Sequence, residues 1–197
     1  MTAVLRQGAE TARSRCCARA NNAVKFACLG VCSFLCHTKP AQVWTAMNTA
    51  VAAIRHQEAA LGQAPHIITV QGTRGWARDL SYYVTHPVTA GQGANVVYET
   101  HVYNPAADLG GLFVKPSATL PILIGEFGPA AGYMSLADSE ALMQKARNLS
   151  LPWTGWSLHM RCDPSMLQDL SGGGCGIGMA LKLTPWGTLV QKYLQMP

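Results

Sequence analysis

The stretch Pro121 to Pro129, PILIGEFGP, constrains this chain more than any other. Two prolines bracket a run of isoleucine and leucine, which suits a short parallel strand covered on both faces. The run, Ile122 to Ile124, passes straight into Gly125, Glu126, Phe127 and Gly128. A carboxylate held fully inside would lose its water at a large cost. Glu126 is therefore expected at the C-terminal mouth of the strand, between glycines that let another group approach the backbone. That placement makes Glu126 the first catalytic candidate.

The rest of the chain alternates helix and strand around it. Val43, Met47, Val51, Ile54 and Leu61 recur at helical steps from Ala41, with Trp44 beside them, and Gly62 and Pro65 end the helix. HIITVQG, 66–72, reads as a strand, Ala77 to Tyr83 as a short helix, and NVVYETHVYNP, 95–105, as a second strand. A Gly-rich loop with Phe113 leads into PILIGEFGP. Ser135 is an N-cap candidate with Asp138 three residues on, opening a helix to Leu149 whose inner face holds Leu142, Met143 and Ala146. A fourth strand is expected around TGWSLHM, 154–160. Thr184 and Pro185 open a last helix to about Tyr193. This order predicts an α/β fold with a parallel sheet.

Composition excludes several classes. With 197 residues, 49% hydrophobic and 13% charged, the chain has the length and apolar content for one domain with a core and is not disordered. No apolar run reaches the ~18 residues of a membrane span. The net charge of +5 resides wholly in the first 39 residues, where Glu10 is the one acid; acids and bases balance from 41 onward. A nucleic-acid partner is therefore not expected. Residues 1–40 also hold five of the seven cysteines and read as an atypical segment, signal- or transit-like or foreign to the domain beyond it. Cys28, Cys32 and Cys36 would share a helix face, but no second ligand cluster lies at zinc-site spacing, and neither metal nor cofactor is expected. Cys162 and Cys175 bracket a Gly-rich loop, as a disulfide or as two separate thiols. SGGGCGIG, 171–178, lacks the Lys-Ser/Thr of a phosphate loop.

Ligands of a parallel sheet meet the C-terminal strand ends. Gln71, Gly72 and Trp76 come after the first strand, His101 and Tyr103 end the second, Glu126 ends the third, and Trp156 and His159 lie in the fourth. One carboxylate, a His-x-Tyr pair and two tryptophans suit a sugar: indole faces stack on a pyranose, and His and Tyr give directional hydrogen bonds. Taken singly, each has a plainer reading. The tryptophans fit a core, His101 and Tyr103 a buried pair, and Glu126 an ion pair with an arginine. Glu99 shares the parity of His101 and either joins the site or merely bonds to it.

Residues 42–194 resemble the C-terminal half of glycoside hydrolase family 5, the cellulase family of (β/α)8 barrels. HIITVQGTRGW is similar to the fifth strand, NVVYETHVYNP with its His-x-Tyr to the sixth, PILIGEFGP to the seventh, and TGWSLHM to the eighth. The resemblance implies a partial barrel over 41–197, from about the fourth helix to the eighth. It implies a retaining endo-β-glucanase-like activity on β-linked polysaccharide or oligosaccharide, outside the cell. Glu126 would be the nucleophile, His101 and Tyr103 would hold it and the reacting sugar, Trp156 would floor that subsite, and Trp76 would wall it.

One element of the family's pattern is missing. Its acid/base glutamate belongs to an Asn-Glu-Pro motif, which this sequence lacks, and Glu58 is expected mid-helix facing solvent. The resulting expectation is a truncated chain with a nucleophile and no acid/base. The alternatives are a non-catalytic carbohydrate-binding half-barrel, or another hydrolase with Glu99 or His159 as second catalytic group.

Overall fold

The computed structural model describes residues 39–170 and 181–196. The N-terminal thiols, the SGGGCGIG loop and Cys175 lie outside the described residues. The first helix, α1 (Pro40–Ala60), starts with proline at its first position, and the Gln42 side chain accepts from the Lys39 N–H. After it come strand β1 (Ile68–Gln71), the short helix α2 (Ser81–Thr85), and strand β2 (Val96–Val102). Three helical turns between 106 and 118 replace the expected open loop, because Leu109 and Phe113 are both completely buried there. Then come β3 (Ile122–Phe127), α3 (Leu136–Asn148) and α4 (Pro185–Leu194). The caps are as expected. Ser135 and Asp138 form a capping box on α3, and Thr184 accepts from the Gly187 N–H to open α4.

The strands form one parallel sheet in the order β1-β2-β3. The expected fourth strand is not a strand. It survives as one parallel bridge, Ile124 to Trp153, extended by bonds from the Ile124 N–H to Pro152, from Thr154 to Ile124 and from Trp156 to Phe127. Pro152 has no N–H to give a ladder, and the chain beyond Trp156 turns away to Pro164 and Met166.

Side chains of β2 alternate cleanly. Val96, Tyr98, Thr100 and Val102 are buried toward the helices, whereas Val97, Glu99 and His101 on the other face are half-buried. Among the described residues the sheet is thus covered on one face, not on both as the apolar run of β3 suggests. The core lies between the sheet and the helices, with Val51, Val70, Tyr83, Ile124, Phe127 and Leu142 at its centre.

Glu58 overturns an expectation. It does not face solvent: 8% of its surface is exposed. One oxygen accepts from Arg55 at 2.7 Å, and the other accepts the His66 N–H and meets His66 Nδ1, both at 2.9 Å. These bonds, led by the backbone N–H of His66, hold its carboxyl down at about 2. Arg55 also donates to the carbonyls of His66, Ala94 and Asn95, which lead into β1 and β2. The chain returning at His66 closes this cluster, and helical periodicity carries no information about that return.

Candidate active site

Glu126 reaches the site through a bulge. Ile122 and Ile124 point into the buried helix-side layer, and strict alternation would send Glu126 the same way. The pairing slips between Thr100 and His101: Thr100 faces Ile124, but His101 faces Glu126, so Gly125 has no partner. The slip reverses the parity of the residues beyond it. Glu126 turns to the open face beside His101, and Phe127 goes into the core at 0% exposure.

The glycine has a second role. A Cβ at position 125 would strike the Glu99 carboxylate, which lies directly over that backbone. The close approach expected next to a strand glycine is therefore made by Glu99.

Four side chains from two strand ends then form one chain of contacts. The Tyr103 hydroxyl donates to Glu126 Oε1 at 2.5 Å, within the range of a charge-assisted O–H bond. His101 Nδ1 stands 3.5 Å from Glu126 Oε2, and His101 Nε2 is 2.9 Å from Glu99 Oε1. The three ionisable side chains Glu99, His101 and Glu126 are between 17% and 23% exposed. They are shielded without being sealed.

His101 and Tyr103 line a cleft of about 680 Å³, together with Trp76, Arg78, Tyr133, Asp163 and Trp186. Glu126 is behind them and not in the cleft wall. Trp76 is 57% exposed, and its placement carries strain: Gly75, Trp76 and Ala77 all have positive φ, at 45°, 57° and 64°. For the two non-glycine residues this backbone costs about 1 kcal/mol or more each. Ala77 is buried, and its carbonyl accepts from the His101 N–H at 3.4 Å, tying the strained turn to the end of β2.

The structure thus brings His101, Tyr103 and Trp76 to one cleft, with Glu126 bonded behind them. Trp156 is half-buried outside the cleft wall, its N–H on Phe127 and its carbonyl accepting from Trp186 Nε1. His159 is exposed and turned to the Arg161 N–H, with no contact to Glu126. Tyr133 and Asp163 escaped the sequence reading because they lie on loops, where no period marks a side chain's direction; Arg78 was expected in a helix from Ala77, but that helix starts only at Ser81 and Arg78 lies in the turn before it. Among the described residues no cluster of His, Cys, Asp and Glu could hold a metal, and no helix is long and apolar enough to cross a membrane.

The chain that carries this site has counterparts among known proteins. The family model for cellulase (glycosyl hydrolase family 5) matches residues 34–161. The chain belongs to glycosyl hydrolase family 5. Solved structures share its fold. The catalytic domain of the Thermobifida fusca endoglucanase Cel5A, in complex with cellotetraose, is 20% identical with a TM-score of 0.64, over 81% of this chain and 54% of that one. A β-mannanase from Streptomyces thermolilacinus with mannohexaose is 22% identical with a TM-score of 0.57, over 81% and 51%. A β-mannanase from Thermomonospora fusca is 25% identical with a TM-score of 0.52, over 75% and 49%. The chain spans about half the length of these structures, and the shared part is a partial (β/α)8 barrel. No curated protein sequence matches it.

Proposed function

We propose that this chain is a retaining glycosidase site acting on β-linked glucan or mannan, with Glu126 as nucleophile. The observation that carries the reading is the Tyr103–Glu126 bond beside the His101 contact, at the edge of an aromatic-walled cleft. Glu126 attacks the anomeric carbon. A carbon–oxygen ester bond forms as the glycosidic bond breaks, and water later hydrolyses the ester. Tyr103 holds one carboxylate oxygen in place, and Trp76 offers an indole face to a pyranose; Trp156, outside the cleft wall like Glu126, is proposed as the floor of the reacting subsite next to that carboxylate. We propose that the site works outside the cell, since polymeric glucan or mannan is too large to enter one.

A retaining site also needs a proton for the leaving oxygen, from a second carboxyl about 5–5.5 Å from the first. Among the described residues the carboxylate closest in the contact chain is Glu99, and His101 stands between it and Glu126. We therefore propose that the described residues supply attack without acid assistance. Such a site turns over glycosides whose leaving group departs as a stable anion and leaves unactivated β-glucan intact.

The test is mass spectrometry after incubation with 2,4-dinitrophenyl 2-deoxy-2-fluoro-β-glucoside and its manno counterpart. A covalent adduct on Glu126, absent in Glu126→Gln, is the expected result. The exposed Trp76 and Tyr133 on the cleft favour a second reading, glycan binding without chemistry. Saturable cello- or manno-oligosaccharide binding with no adduct on a folded chain would select it.

A further inference from the structure

The nucleophile reading leaves one carboxylate unexplained. Glu99 lies one layer below the mouth of the sheet, 20% exposed, and the structure spends a glycine on making room for it. A half-buried position on this face of the strand would ordinarily carry an apolar side chain, as Val97 does two residues earlier. Among the described residues Glu99 has one side-chain hydrogen-bond partner, His101 Nε2 at 2.9 Å.

That contact determines what His101 can do on its other edge. A neutral imidazole has one N–H and one lone pair. With Glu99 as acceptor, a neutral His101 ring carries its proton on Nε2 and turns a bare Nδ1 toward Glu126 Oε2. The 3.5 Å separation fits: it is too long for a good N–H to carboxylate bond, whereas Tyr103 grips Oε1 at 2.5 Å. The two oxygens of Glu126 are therefore unlike. Oε1 is tied by a phenol, and Oε2 has no hydrogen bond among the described residues.

Resting on the reading of Glu126 as nucleophile, we propose that Glu99 is a positioning residue that holds the His101 proton on Nε2 and so keeps Oε2 of Glu126 free as the attacking oxygen. The lone pair that forms the bond to the anomeric carbon comes from Oε2. With a dinitrophenyl glycoside the electrons of the broken bond leave on the phenolate, and no proton is needed. Were the ring to carry its proton on Nδ1, that N–H would turn to Oε2 and blunt it. The Glu99 carboxylate accepts but cannot donate, which disfavours that tautomer. The arrangement matches the general use of an outer acceptor to set an imidazole's tautomer and orientation.

The test uses Glu99→Gln, which keeps the shape over Gly125 while its amide can donate to Nε2 and release the proton to Nδ1. Long-range 1H–15N spectra, with the His101 signals identified by their loss in His101→Ala, report the tautomer without any need for turnover. The expected result is an Nε2–H ring in the parent and a substantial Nδ1–H population in Glu99→Gln. Labelling of Glu126 by the dinitrophenyl 2-fluoro-glycoside should slow by roughly 10-fold or more in Glu99→Gln, at unchanged circular dichroism and thermal midpoint. In the His101→Ala background, Glu99→Gln should cause no further loss. An Nδ1–H ring in the parent, a parent-like labelling rate in Glu99→Gln, or an undiminished loss on top of His101→Ala would each overturn the proposal. If the parent is never labelled, the nucleophile reading fails and with it the role of Oε2. The spectra then still decide whether Glu99 sets the ring.

Discussion

Two clusters of acids and bases stand at opposite ends of the same sheet, and they are built differently. At the N-terminal end, Arg55, Glu58 and His66 join α1 to the starts of β1 and β2. Both oxygens of Glu58 are engaged, one by a permanent cation and one by a backbone N–H. At the C-terminal end, Glu99, His101, Tyr103 and Glu126 use an imidazole in place of the guanidinium, and among the described residues they leave Glu126 Oε2 without a hydrogen bond. A saturated carboxylate holds chain segments together. An unsaturated one, kept half-shielded beside a cleft, is available for a reaction. In a parallel α/β fold the first kind belongs at the bottom of the strands and the second at the top.

The largest separation between the clusters should come from their central acids. Glu126→Gln should lower covalent labelling by about 10³-fold or more while leaving the unfolding midpoint almost unchanged. Labelling rate and thermal denaturation measured on one preparation check both halves. At the bottom, Arg55→Ala should do the reverse. It strips Glu58 and three carbonyls of their donor, costs about 3 kcal/mol in urea denaturation, and leaves labelling of the folded fraction within about threefold. A large loss of labelling by folded Arg55→Ala would break the comparison.

The Gly125 contact sharpens the upper cluster. Gly125→Ala forces a methyl into the Glu99 carboxylate and should cost about 2 kcal/mol. In a Glu99→Ala background the same change should cost well under half of that, and a double-mutant cycle reads the difference.

The acid limb of stability should report on the lower cluster. The carboxyl of Glu58 is held at about 2 in the folded protein against an ordinary value of 4.5. A depressed folded value means that its contribution is complete above about 4.5 and lost as pH falls toward 2. The stability difference between the parent and Glu58→Gln should therefore be constant from pH 7 to 5 and shrink between pH 4.5 and 2. A constant gap over that range would show that the carboxylate's charge is not what matters.

The smallest effect is expected at the strained turn. Trp76→Gly relieves a positive φ, so stability should hold or rise by about 0.5–1 kcal/mol, even though an aromatic side chain is lost. Oligosaccharide affinity should fall by about 1 kcal/mol, measured by calorimetry or by labelling kinetics. Loss of stability together with unchanged affinity would make Trp76 a packing residue.

Much of this site is legible in the sequence. The strand ending at Glu126, the His-x-Tyr parity of His101 and Tyr103, and the caps at Ser135 and Thr184 all depend on residues within a few positions of one another. Glu99 was visible as a neighbour of His101 by parity, but not as the group lying over Gly125, which is on another strand. The fourth strand is less than its residues suggest. TGWSLHM has strand-like residues, yet its pairing is limited to the stretch around Trp153 because the backbone after Trp156 bonds to Pro164 and Met166 instead.

The sequence by itself determined the alternation of helices and parallel strands, the placement of a carboxylate at a strand mouth, and the membership that its motifs announce. These come from local periods, turn residues and short spacings. Only the tertiary structure decided which way Glu126 points, which oxygen of it is tied, and that Glu58 is buried. Strict alternation would have turned Glu126 into the helices; a one-residue slip against β2, 25 positions away at His101, turned it to the open face of the sheet. Register between strands is a long-range quantity, set by which backbone groups pair and which side chains then fit, and no local pattern of residues encodes it.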